Sequence, residues 1–127
     1  MTLADTLAGV LSAVMSVEAE EDGALTLRHD GTIASLRVVT VAEGLEMVSL
    51  TQMLAWDLPV GPDLLKKVVA LGQTNMLGAI VVADQTQGQA DVLLRYNFPA
   101  GTLDEGALQT LVLMVLTAGT AVREALA

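Results

Sequence analysis

The sequence predicts an α+β domain, a five-stranded antiparallel sheet with helices on one face in the order α-β-β-β-α-β-β-α. Three observations lead there. Apolar residues recur at helical spacing near both ends and once in the middle, period-2 segments fill the stretches between, and neighbouring strand segments are joined by turns too short for a parallel crossover. The 127 residues suit a single domain spanning 1–127, a length that buries about two-thirds of the unfolded surface.

The first helix places Leu3, Leu7, Val10, Leu11, Val14 and Met15 on one stripe, with Thr2 as its N-cap. The acidic run Glu18 to Asp22, closed by Gly23, reads as a solvated turn, because a calcium loop needs alternating oxygen ligands about a central glycine. Three strands follow. Ala24 to His29 alternates Leu25 and Leu27 with Thr26 and Arg28; "HDGT" makes a tight hairpin; Ile33 to Val41 runs back; and "AEG" turns at Gly44. The third strand, Leu45 to about Trp56, sets Val48, Leu50, Leu54, Trp56 and Leu58 on one face, with Glu46 and Gln52 out of pattern. Its other face, Met47, Ser49, Thr51, Met53 and Ala55, is semi-apolar, and its length predicts a bend or bulge.

"DLPVGPD" ends that strand and starts a helix at Pro62, where a missing N–H is harmless and Asp63 suits the helix dipole. This helix runs to about Asn75 and lines up Leu64, Leu65, Val68, Val69 and Leu71 to lie on the sheet. "LGAIVVAD" and "QADVLLRYNFP" form a hairpin around "QTQG". In the last helix Thr102 is positioned to cap Asp104 or Glu105, and from Leu108 onward apolar residues cover most of the circumference. Leu108, Leu111, Val112, Val115, Leu116 and Val122 form one stripe, which Leu113, Met114 and Ala118 widen. The run Leu111 to Leu116 is too short and too interrupted for a membrane span, so protein is expected to pack on both sides of it.

Composition narrows the function. Fifteen acidic against six basic residues give a net charge of −9, which repels nucleic acid and anionic lipid headgroups. No cysteine is present, which excludes thiol chemistry and thiolate metal sites. The N-terminus has no basic segment ahead of its apolar residues, so a cytoplasmic location is expected. Hydrophobic residues make up 53% but aromatics only 2%, and that apolar excess is more than one small core absorbs. Burial against a second copy is the simplest outlet.

Catalytic machinery is not evident. His29 stands alone beside a hairpin; Asp104–Glu105 reads as helix-start charge and Asp84 with Asp91 as strand ends; and neither "GQTNMLG" nor "GTLDEG" has the basic residue of a phosphate cradle. No catalytic residue, cofactor or metal site is therefore assigned, and a non-enzymatic role is expected. The candidate dimer or partner contacts are Met47, Met53, Trp56, Leu113, Met114, Ala118 and Gly119, where the last two allow close approach. Arg37 and Arg95 are the candidate charges for pairing with a partner.

The passage "LPVGPDLLKKVVALGQTNMLGAIVVADQTQGQADVLLRYNFPAGTLDEGAL", with "DGALTLRHDG" and "SLRVVTVAEGLEMVSL" ahead of it, resembles the YbjN-like family within the type III secretion chaperone-like (Tir chaperone-like) fold. The family's aromatics near the end of the last helix are replaced here by "AGTAVREALA". The resemblance implies a non-catalytic homodimer that binds a protein or peptide client, chaperone-like or as a sensory and signal-transduction regulator. The alternative is a small-molecule-binding domain with an apolar pocket under the helices.

Overall fold

A computed structural model describes residues 1–83 and 87–127. Its elements are α1 (Leu3–Ser12), β1 (Ser16–Ala19), β2 (Leu25–His29), β3 (Thr32–Ala42), β4 (Leu45–Pro59), α2 (Pro62–Thr74), β5 (Ala79–Ala83), β6 (Gln89–Pro99) and α3 (Glu105–Leu126). The class is α+β as predicted, but the sheet has six strands rather than five, ordered β1-β2-β3-β4-β6-β5 and antiparallel throughout.

The added strand is β1, and the reason is an early end to α1. Thr2 and Asp5 close a reciprocal capping box: the Asp5 N–H donates to Thr2 Oγ1 at 3.1 Å and the Thr2 N–H to the Asp5 carboxylate at 3.0 Å. Donation from Thr2, its backbone N–H first, holds the Asp5 carboxyl below its ordinary range. The helix then stops at Ser12, whose hydroxyl donates to Ala8 O at 2.6 Å, before the apolar stripe of Val14 and Met15 is used. Val14 ends up exposed, and the chain continues as a strand with Val17 opposite Leu27.

On the helix-bearing face, Leu25, Leu27, Leu36, Val48, Leu50, Leu94 and Phe98 are buried beneath Leu7 and Leu11 of α1 and Leu108, Val112, Val115, Leu116 and Val122 of α3. Each such Leu contributes about 1.5–3 kcal/mol of burial. Gln109 ties the two helices together by donating to Val10 O at 2.7 Å. By length and composition α3 could cross a membrane, with 22 residues and mean hydropathy 1.4 over its best window; here its inner stripe is committed to the sheet. Asp104, not Thr102, caps it, its carboxylate accepting from the Ala107 N–H at 2.7 Å.

Gln52, the out-of-pattern residue of β4, is fully buried under α3. Its amide donates to Thr32 Oγ1 at 2.9 Å and to Leu116 O at 3.1 Å. Gly119 makes the room, since a Cβ there would overlap Gln52 Oε1 and lie 2.7 Å from Cδ.

The bend expected in β4 is present as two register shifts, at Met53/Ala55 and Ala55/Leu58, with Asp57 in the left-handed region at φ 54°. Alternation is lost there, so Trp56 leaves the apolar face predicted for it and is 60% exposed. The β2–β3 turn carries Asp30 (φ 46°) and Gly31 (φ 77°), the pair of positive angles that a two-residue hairpin needs. Of the "QTQG" turn, Gln85 and Thr86 lie outside the described residues, as does Asp84.

Candidate protein-binding surface

Two helices leave apolar side chains without a place in the core. In α2 only Val68 is buried, with Leu64 and Leu71 half-buried beside it, because the helix meets the sheet at its short edge strand β5. Leu65 (49% exposed) and Val69 (60%) point outward, not onto the sheet as the sequence suggests. In α3 the residues outside the core stripe face the chain leaving α2. Leu113, Met114, Thr117, Ala118 and Ala121 form one wall of a groove, and Thr74, Asn75, Met76 and Leu77 form the other.

This groove has a volume of about 620 Å³ and no charged residue in its lining. Met114 is 54% and Met76 93% exposed, and flexible thioether side chains adapt to varied apolar partners. The Met76 wall is built rather than loose. Asn75 donates from its side-chain amide to Leu77 O at 3.1 Å and to Gly78 O at 3.3 Å. Gly78, at φ 96°, passes so near β6 that a Cβ would lie 3.0 Å from Arg95 O.

Among the sequence-derived candidates, Leu113, Met114 and Ala118 are thus brought together. Gly119, one residue on, faces inward against Gln52. Met47, Met53, Arg37 and Arg95 occupy the opposite, helix-free face of the sheet, where Thr51 stands across from Arg95 and Ser49 links Arg37 to Asn97. Arg37 is engaged within the chain by an ion pair to Asp22 at 2.6 Å. That hydrogen bond, aided by the Ala24 N–H, holds the Asp22 carboxyl below its ordinary range. Arg95 is exposed and makes no ion pair among the described residues. Trp56 belongs to neither surface and stands at the end of the sheet where β4 overruns β3.

Two of the groups considered for chemistry have structural roles here. Asp104 caps α3, and Asp91 accepts the Asp57 N–H at 3.0 Å. His29 is mostly buried, 3.9 Å from the Asp30 carboxylate. No cluster of three metal-ligating side chains occurs among the described residues. Leu65 and Val69 were expected on the sheet-facing side of α2, and Met76 was not singled out from the sequence. Five Leu and Val side chains in the 13-residue α2, two more than its inward stripe needs, were the available signal for Leu65 and Val69.

No family model and no curated protein matches the chain. Its fold is similar to the crystal structure of YbjN from E. coli, described as a candidate transcription regulator, with a TM-score of 0.68 over 94% of this chain and 87% of that one at 15% sequence identity. The chain therefore has the YbjN-like fold that its sequence resembles.

Proposed function

We propose that this protein is a non-catalytic binding module, chaperone-like or regulatory, that works as a homodimer and holds an apolar segment of a partner protein in the groove beside α3. The observation that carries the reading is the groove itself: uncharged, about 620 Å³, and walled by Met114, Leu113, Met76 and Leu77. An amphipathic helix laying apolar anchors into such a groove is a recurrent mode of peptide recognition. The outward stripe of Leu65 and Val69 on α2 supplies the self-association surface. Likeness to YbjN supports a regulatory role, and the net charge of −9 favours regulation through protein contact over direct contact with nucleic acid.

Met114→Glu places a charge in the groove at an exposed position, so the fold is expected to survive. A photo-crosslinking side chain at position 118 is expected to capture a discrete partner from native lysate, and Met114→Glu to abolish that capture. Capture unchanged by Met114→Glu, or no adduct at all, would defeat the groove reading.

A further inference from the structure

We propose that the cleft where β4 overruns β3 binds a planar, apolar organic anion, an aromatic carboxylate being the simplest case. β3 pairs with β4 only as far as Ile33↔Met53, whereas β4 continues to Pro59. Beyond Met53 the strand therefore has no neighbour on that side. A cleft of about 300 Å³ opens between Leu54–Leu58, the β2–β3 turn and the last turn of α3, a volume suited to a small ligand. It lies at the end of the sheet, lined by none of the groove residues, and does not depend on the protein-binding reading.

Three features give the cleft its chemistry. Its apolar side chains include Leu54 and Leu126, both buried, and half-buried Leu58. At the rim stands Trp56, the one tryptophan of the chain, 60% exposed. The two register shifts and the left-handed Asp57 put it there, and the Asp57 N–H bond to Asp91 holds that conformation. Bulges that re-aim a side chain cluster beside binding sites.

Arg123 is the single charged side chain in the lining. It makes no ion pair among the described residues. Its guanidinium lies over the β2–β3 turn, where Gly31 leaves space: Nη1 is 3.0 Å from where a Cβ would stand. An aromatic plate and a guanidinium with no ion pair among the described residues thus share one cleft, in whose lining the α-carboxylate of Ala127 is the one opposing charge. A flat ring stacks on Trp56 while its carboxylate takes paired N–H donors from Arg123. A neutral ring loses the second contact, and a cation is repelled by it.

Cinnamate and its neutral isostere cinnamamide test this, read through the single indole N–H signal of Trp56 in a two-dimensional nitrogen–proton NMR spectrum. Cinnamate is expected to shift that signal saturably. Cinnamamide, and cinnamate with Arg123→Gln, are each expected to bind about tenfold more weakly, the loss of one charge-assisted contact. No saturable shift up to about 10 mM cinnamate, or equal affinity for acid and amide in the unaltered protein, would overturn the proposal. The second comparison needs no variant, so a misfolded Arg123→Gln cannot rescue the idea.

Discussion

Replacing Gly119 by alanine should be among the most damaging single-methyl changes this protein can suffer. In an ordinary helix interior the substitution stabilises by about 1 kcal/mol. Here the new Cβ would overlap Gln52 Oε1 and lie 2.7 Å from Cδ and 3.2 Å from Nε2. Gln52 is fully buried, so its amide cannot swing into water. It must instead give up the bonds to Thr32 Oγ1 and Leu116 O. Two buried hydrogen bonds unmade cost roughly 1–2 kcal/mol each, and forced repacking adds about 1–3 kcal/mol. After the helix-propensity gain, the net destabilisation is about 4 kcal/mol. Urea unfolding followed by far-ultraviolet circular dichroism measures it directly. Gln52→Ala removes the obstruction, so the double variant should recover about 2 kcal/mol or more relative to the sum of the singles. Thr32 Oγ1 still donates to His29 O in that background, and Leu116 O still accepts from Thr120. If Gly119→Ala proves neutral, or the two changes add to within about 0.5 kcal/mol, the buried Gln52–Gly119 contact does not exist.

Other consequences are smaller and equally checkable. Thr2→Ala removes one half of the α1 capping box and should lower unfolding stability by about 1 kcal/mol, read from the same urea curves. The Asp22 carboxyl, held down first by Arg37 and then by the Ala24 N–H, contributes stability above the ordinary carboxylate value of about pH 4 and loses it as pH falls through the lowered folded value. Asp22→Asn should therefore flatten the acid limb of melting temperature against pH below about pH 4; an unchanged limb would show the pair to be idle. Val69→Glu, on the outward stripe of α2, should change stability by no more than about 0.5 kcal/mol while light scattering reports a monomer.

Much of the fold was legible because long elements repeat their pattern. In α3 the stripe from Leu108 to Val122 declares itself over four turns, and the hairpin at Asp30–Gly31 is written in two residues that tolerate positive φ. β1 was not legible: four residues with only Val17 half-buried offer too few alternations. Val14 and Met15 also continue a helical stripe that the chain abandons at Ser12. Trp56 was misplaced because a register shift is a backbone event that leaves side-chain identities untouched. Gln52 and Gly119 were each conspicuous, one for breaking an apolar face and the other for its size within an apolar helix. Only the 67-residue separation that the fold closes shows them to be one contact, with Gly119 set against the core.

Charge limits how the outward apolar surface can be used, and that gives a signed test of the dimer. Two copies, each at −9, repel on approach, so association must be driven by apolar burial and opposed by the overall field. In the proposed dimer Leu65 and Val69 would supply the burial, and their α2 neighbours Lys66 and Lys67 keep the surroundings from being purely acidic. Screening weakens the repulsion once the Debye length falls to about 10 Å near 0.1 M salt, while burial of Leu and Val is little affected. Self-association should therefore tighten between about 0.01 M and 0.15 M sodium chloride, followed by sedimentation equilibrium. A partner segment carrying basic residues beside its apolar anchors should show the opposite dependence. A dimer that loosens with added salt would mean that ion pairs, not the apolar stripe of α2, hold the copies together.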